Sequence, residues 1–137
     1  MRKRVCSGIL FLLLMILMVT PVFAADMRAS DKFANYNAKL YVESNGDFDI
    51  YFSVTASGIM DILGASKIVV ERNNGYRWAA ESTLTVQDAP EMQVTNASRH
   101  SAWISYETND PTANYRAIVT LYAEDSTGSS TAQVTTR

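Results

Sequence analysis

The sequence predicts one all-β domain, a sandwich of about seven strands over residues 36–137. Three observations carry this. Apolar and polar side chains alternate with a period of two through the longest patterned segments. Glycine-bearing turns separate apolar runs whose parity matches across the turn. No window of a dozen residues carries a helical period.

The N-terminal segment comes first and is not part of that domain. Arg2, Lys3 and Arg4 precede an apolar run from Val5 to Val19, Pro21 breaks the run, and Val22-Phe23-Ala24 offers small residues for cleavage. Positive charge, apolar stretch and small-residue site, in that order, make residues 1–24 an expected secretory signal peptide. The apolar stretch is shorter than the roughly 20 residues a spanning helix needs. Residues 25–35 are poor in apolar side chains and read as a loose segment leading into the domain.

The first hairpin follows. Ala38, Leu40 and Val42 precede a turn, and Phe48, Ile50 and Phe52 follow it. A two-residue Asn45-Gly46 loop would put these two apolar sets on opposite faces. A three-residue loop of Ser44, Asn45 and Gly46 pairs Val42 with Phe48, Leu40 with Ile50 and Ala38 with Phe52, with glycine in the left-handed position. The same device at Asn73-Asn74-Gly75 would set Val70 opposite Trp78, Ile68 opposite Ala80 and Glu71 opposite Arg77. Residues 84–96 hold Pro90 and mixed signals and read as a crossing segment. Further strands are expected at Arg99–Tyr106, from Tyr115 to Glu124, and at Ser130–Thr136, with Asp110-Pro111 and Asp125-Ser126-Thr127-Gly128 as connections.

Charge and cysteine content narrow the functional classes. The chain has 12 basic and 14 acidic residues. Cleavage after Ala24 removes three basic and no acidic ones, leaving nine against 14 and a net charge of −5. Such a surface, with no run of Lys or Arg, disfavours nucleic acid and anionic membrane as partners. Cys6 is the sole cysteine and lies inside the segment to be removed, so disulfides and thiol chemistry are not expected in what remains. About 113 residues suffice to bury a core without such staples, and a monomer is expected.

Two resemblances bear on the fold. Val119, Leu121, Ala123, Asp125 and Gly128 resemble the sixth strand and following turn of a fibronectin type III domain, although that family's aromatic would fall at Ala117 and this chain has Tyr115. The resemblance implies an immunoglobulin- or fibronectin III-like sandwich and no functional site. Arg28-Ala29-Ser30-Asp31, Phe52-x-Val54 and Gly58-x-Met60-Asp61-x-x-Gly64-Ala65-Ser66-x-Ile68 resemble a group of small secreted proteins from Gram-positive bacteria. Trp78 and the run from Tyr115 to Gly128 fit the same group, to which no activity is attached. That likeness implies an exported bacterial protein.

Candidate sites are few. His100 is the sole histidine, so any histidine-dependent hydrolase must use it. Ser98 shares its strand face and Ser101 does not, and no Gly-x-Ser-x-Gly elbow occurs, so an ordinary strand histidine is expected. Asp47 with Asp49, and Asp61 with Asp125, are the carboxylate candidates, but no Asp-x-Asp-x-Asp-Gly calcium loop exists. They read as solvated turn aspartates, and neither metal nor cofactor is expected. Asn96-Ala97-Ser98 matches the glycosylation acceptor pattern by chance. Parity directs Phe48, Phe52 and Trp78 inward and Tyr41, Tyr51 and Tyr122 outward. Outward tyrosines suit contact with an extracellular protein or glycan. The sequence therefore points to a secreted, non-catalytic binding or structural module, with a small secreted hydrolase using His100 as the alternative.

Overall fold

The computed structural model describes residues 32–136, and the expected signal peptide lies outside them. These residues form a curled antiparallel sheet of six strands: β1 (Phe33–Val42), β2 (Phe48–Asn73), β3 (Trp78–Thr85), β4 (Gln93–Tyr106), β5 (Asn114–Asp125) and β6 (Gly128–Thr135). One short 3-10 turn, Pro90–Met92, joins β3 to β4. β1 begins at Phe33, inside the segment read as loose, where the Phe33 ring packs edge-on against Tyr36 at 5.8 Å.

The strand count is six rather than about seven because β2 does not stop. It runs for 26 residues and serves two arms of the sheet. Its first half pairs with β1 on one edge and the second half of β4 on the other. Its second half pairs with β5 on one edge, and with β3 and the start of β4 on the other. Between the arms lies a knee, where Ala56 to Ile59 on β2 stand against Ser98 alone on β4. A bulge of this kind bends the strand without ending it. Asn96 takes φ 55 beside the knee. The same irregularity extends β4 back to Gln93, so the crossing segment is shorter than expected.

The first hairpin has the expected register: Val42 faces Phe48, Leu40 faces Ile50 and Ala38 faces Phe52. Gly46 closes the loop at φ 91, its N–H donating to the Glu43 carbonyl at 3.1 Å. Val42 shares the inner side but is 68% exposed, because the hairpin rim projects beyond the core.

The second hairpin differs from expectation. Asn73 faces Trp78, Arg72 faces Ala79 and Glu71 faces Ala80, and a bulge then sets Val70 opposite Ser82. Asn74 accounts for the longer loop, since its Oδ1 accepts the backbone N–H groups of both Tyr76 and Arg77. Glu71 therefore does not meet Arg77. It accepts a 2.5 Å hydrogen bond from Arg116 Nε of β5, on the other edge of β2. Trp78 is correspondingly not a core residue. It is half-buried at the sheet margin, with the Arg116 guanidinium 4.5 Å above its ring.

The core fills the inside of the curl. Phe48, Ile50, Phe52 and Val54 come from the first half of β2; Leu63, Ala65, Ile68 and Val70 come from the second. Ala117, Val119, Leu121 and Ala123 of β5 complete it. Phe48 ties the arms together, its ring 5.1 Å from that of Tyr106 on β4 and 5.2 Å from that of Tyr115 on β5.

A polar clasp joins the ends of the curl. Lys32 Nζ donates to Asp125 Oδ1 at 2.5 Å and to Thr127 Oγ1 at 2.8 Å. The Lys32 ammonium, with hydrogen bonds from the Thr127 hydroxyl and N–H, holds the Asp125 carboxyl far below its ordinary value of 3.8. A depressed folded-state value contributes stability that is present above pH 3.8 and is lost as pH falls below it. Lys32→Gln is therefore expected to lower stability at neutral pH and to shallow the acid limb. Denaturant titrations from pH 7 to pH 2.5 would show this; parallel acid limbs would exclude the clasp as a source of the pH dependence.

Candidate functional site

The outer face of the first arm is built by parity. Side chains alternate across a strand, so burial of Phe48, Ile50, Phe52 and Val54 turns Asp49, Tyr51, Ser53 and Thr55 outward. The neighbouring strands obey the same rule, which gives four rows across β1, β2 and β4. They are Tyr41–Asp49–Ser105, Lys39–Tyr51–Trp103, Asn37–Ser53–Ser101 and Asn35–Thr55–Arg99.

Three aromatic side chains meet on this face. The Trp103 ring lies 4.7 Å from Tyr51 and 5.1 Å from Tyr41, tilted by 44° to each. Trp103 is 54% exposed and Tyr41 45% exposed, while Tyr51 is half-buried between its neighbours. Polar groups beside them are held by cross-strand bonds: Ser53 Oγ donates to Asn37 Oδ1 at 2.8 Å, and Ser105 Oγ to Asp49 Oδ1 at 2.7 Å. A shallow groove of about 420 Å³ continues from Tyr51 past Ser53 and Ser101 to Arg99. An exposed aromatic ledge with ordered hydroxyl and amide groups can stack on a flat apolar ligand face and hydrogen-bond its rim.

Of the three outward tyrosines, the structure brings together Tyr41 and Tyr51. Tyr122 is elsewhere, on β5 opposite Gly64 in the second arm. Its hydroxyl donates to the Glu124 carboxylate, which with burial pushes its pKa up. Trp103, the centre of the cluster, was missed as a site residue. The signal was present, since Ala102 and Ile104 are apolar neighbours that force Trp103 to the opposite face.

His100 points inward, its ring edge-on to Phe52 at 5.8 Å. Its Nε2 lies 2.7 Å from the Glu91 carbonyl oxygen. Asp61 is exposed, and the other carboxylate candidates have partners, Asp49 accepting from Ser105. Asp47 accepts the Thr108 N–H at 2.9 Å, and Asp125 is held by Lys32. Among the described residues no group of three or more His, Cys, Asp or Glu side chains could hold a metal ion. No helix among them is long and apolar enough to cross a membrane.

A second concavity of about 500 Å³ opens in the other arm, between Trp78, Arg116, Asn73 and Asn114. The Trp78 ring there is covered on one side by the guanidinium, so it offers less stacking surface than Trp103.

Comparison with known proteins gives one partial likeness. A stretch of 73 residues is 30% identical to alpha-L-arabinofuranosidase 1 of Arabidopsis thaliana, covering 50% of this chain and 11% of that protein. The chain matches no protein-family profile. No solved structure matches it.

Proposed function

We propose that this is a secreted, non-catalytic binding module that takes a surface glycan on the outer face of β1, β2 and β4. The observation that carries the reading is the Tyr41–Trp103–Tyr51 cluster, an aromatic ledge exposed on a sheet face. Soluble proteins rarely leave such rings contiguous and open unless something covers them. Sugar rings present flat C–H faces with hydroxyl groups around the rim, a match for aromatic rings flanked by Asn37, Ser53 and Ser101.

Further support comes from the chain's N-terminal pattern, which reads as an export signal. The partial likeness to a protein named for acting on arabinofuranosides points to the same ligand class. The scaffold reading that fits is a fibronectin III-like sandwich of an exported bacterial protein. The two arms folded over one core support it, as does burial of Val119, Leu121 and Ala123 ahead of the Asp125–Gly128 turn.

The hydrolase reading draws less support. A general base needs its nucleophile or water within hydrogen-bond reach, and what stands at His100 Nε2 is the Glu91 carbonyl.

Trp103→Ala is expected to weaken glycan binding by about fivefold or more, since loss of an aromatic stack is worth about 1–3 kcal/mol. Tyr122→Ala should leave binding unchanged. Affinity electrophoresis in arabinan, galactan and polygalacturonate gels would measure both. Equal retardation of wild type and Trp103→Ala in every gel would sink the proposal.

A further inference from the structure

Resting on the glycan reading above, we infer that the ligand is an anionic polysaccharide, one carrying carboxylate groups such as uronic acids. The inference comes from the charges that share the aromatic face. Lys39 stands in the same row as Tyr51 and Trp103, and Arg99 ends the groove two rows away. Both side chains are exposed. Among the described residues neither is held by a carboxylate, as Lys32, Arg72 and Arg116 are; Lys67 and Arg77 also have no carboxylate partner, but they lie in the other arm, away from the aromatic ledge.

The protein as a whole is acidic, so two uncommitted cations beside its open aromatic ledge are a local reversal of sign. Cations placed on a rim beside a binding surface attract and orient ligands of opposite charge.

The spacing suits a chain rather than a small ion. Arg99 lies four positions from Trp103 along β4, about 13 Å at roughly 3.3 Å per residue. Lys39 lies two strands from Trp103, about 10 Å across the sheet. A small anion cannot reach Trp103 and Arg99 together, but an oligosaccharide lying along the groove can. It would stack one ring on Trp103 and Tyr51 and offer carboxylates to Lys39 and Arg99. The guanidinium of Arg99 can take a carboxylate through two parallel hydrogen bonds. At the opposite end Asp49, held by Ser105, repels a carboxylate and so disfavours extension of the chain past that end of the ledge.

Solvent-exposed ion pairs contribute modestly, so each cation should be worth up to about fivefold in affinity. The test compares polygalacturonate with neutral galactan, using the full chain and the variants Lys39→Gln, Arg99→Gln and the double variant. At about 25 mM salt the wild type should bind polygalacturonate about tenfold tighter than galactan. That preference should vanish near 1 M salt, where the screening length falls to roughly 3 Å. The double variant should bind both glycans equally.

Equal wild-type affinity for the two glycans, or a preference surviving in the double variant, would overturn the anionic assignment while leaving glycan binding in place. Failure of the wild type to bind polygalacturonate, galactan or arabinan at all would overturn the proposed function as well. Circular dichroism melts of each variant, expected within a few degrees of wild type for exposed positions, separate lost binding from lost folding.

Discussion

Replacing Phe48 by alanine is expected to cost about 3–5 kcal/mol of stability, the range for truncating a large buried aromatic. Phe48 is 1% exposed and is the ring shared by the two arms, touching Tyr106 on β4 and Tyr115 on β5. Its loss removes buried apolar surface and opens a void where β2 and β5 face each other. Neither neighbouring ring can swing in freely. Tyr106 donates its hydroxyl to Glu81 at 3.1 Å, and Tyr115 donates to the Asp110 carbonyl at 3.3 Å. The melting temperature should fall by roughly 15 °C or more for a domain of this size. Val42→Ala is the matched comparison. Val42 stands directly opposite Phe48 in the hairpin, yet its exposure limits the expected cost to about 0.5 kcal/mol. Equal losses in the two variants would show that Phe48 does not bridge the arms.

Gly64→Ala should be nearly as damaging, for a different reason. Gly64 sits in the second half of β2 at φ 149, between Gln93 of β4 and Tyr122 of β5. A Cβ there would stand 2.1 Å from the Met92 carbonyl oxygen and 2.8 Å from the Gln93 Cα. Both obstacles are backbone, so no side-chain rotation relieves the clash. The 3-10 turn that carries Met92, fully buried in the core, must move away together with the start of β4. Backbone strain and overpacking together set the expected cost at about 3 kcal/mol or more. Gly58→Ala, at the exposed knee with nothing within 4 Å of the added carbon, should be neutral or slightly stabilising. Urea midpoints would separate the two, and coincident midpoints would mean that β4 does not pack closely on Gly64.

Both predictions depend on contacts between segments far apart in the chain, which marks the boundary of what local pattern reveals. The alternation around Phe48 to Val54 and Tyr115 to Ala123 is a local property, and it correctly identified strands and their buried faces. The first turn was legible because parity left one loop length that kept both apolar sets together. The second turn was not. The Asn74 side chain captures two backbone N–H groups, and a bulge beyond Glu71 then resets the register. Glu71 was rightly expected to meet an arginine but on the wrong strand, because a β2 residue has neighbours on two edges and sequence proximity suggests only one.

The candidate site divides along the same line. Outward directions for Tyr41 and Tyr51 follow from the period of two. Their meeting on Trp103 does not, because β4 pairs with the first half of β2 across a long stretch of chain. The Ser105–Asp49 bond, for example, spans 56 positions. Tyr122 has the same parity and was grouped with them, yet the knee in β2 carries it to the other arm.

By itself, the sequence determined that this is an all-β chain, which faces of its longest strands are buried, and how its first hairpin closes. Side-chain alternation and turn chemistry act within a few residues, so a linear pattern suffices to express them. The tertiary structure alone decided that one 26-residue strand serves both arms and that Tyr41, Tyr51 and Trp103 share a ledge beside Lys39 and Arg99. Those outcomes rest on which strands lie side by side, and that is set by burial of the whole core rather than by any one segment's pattern.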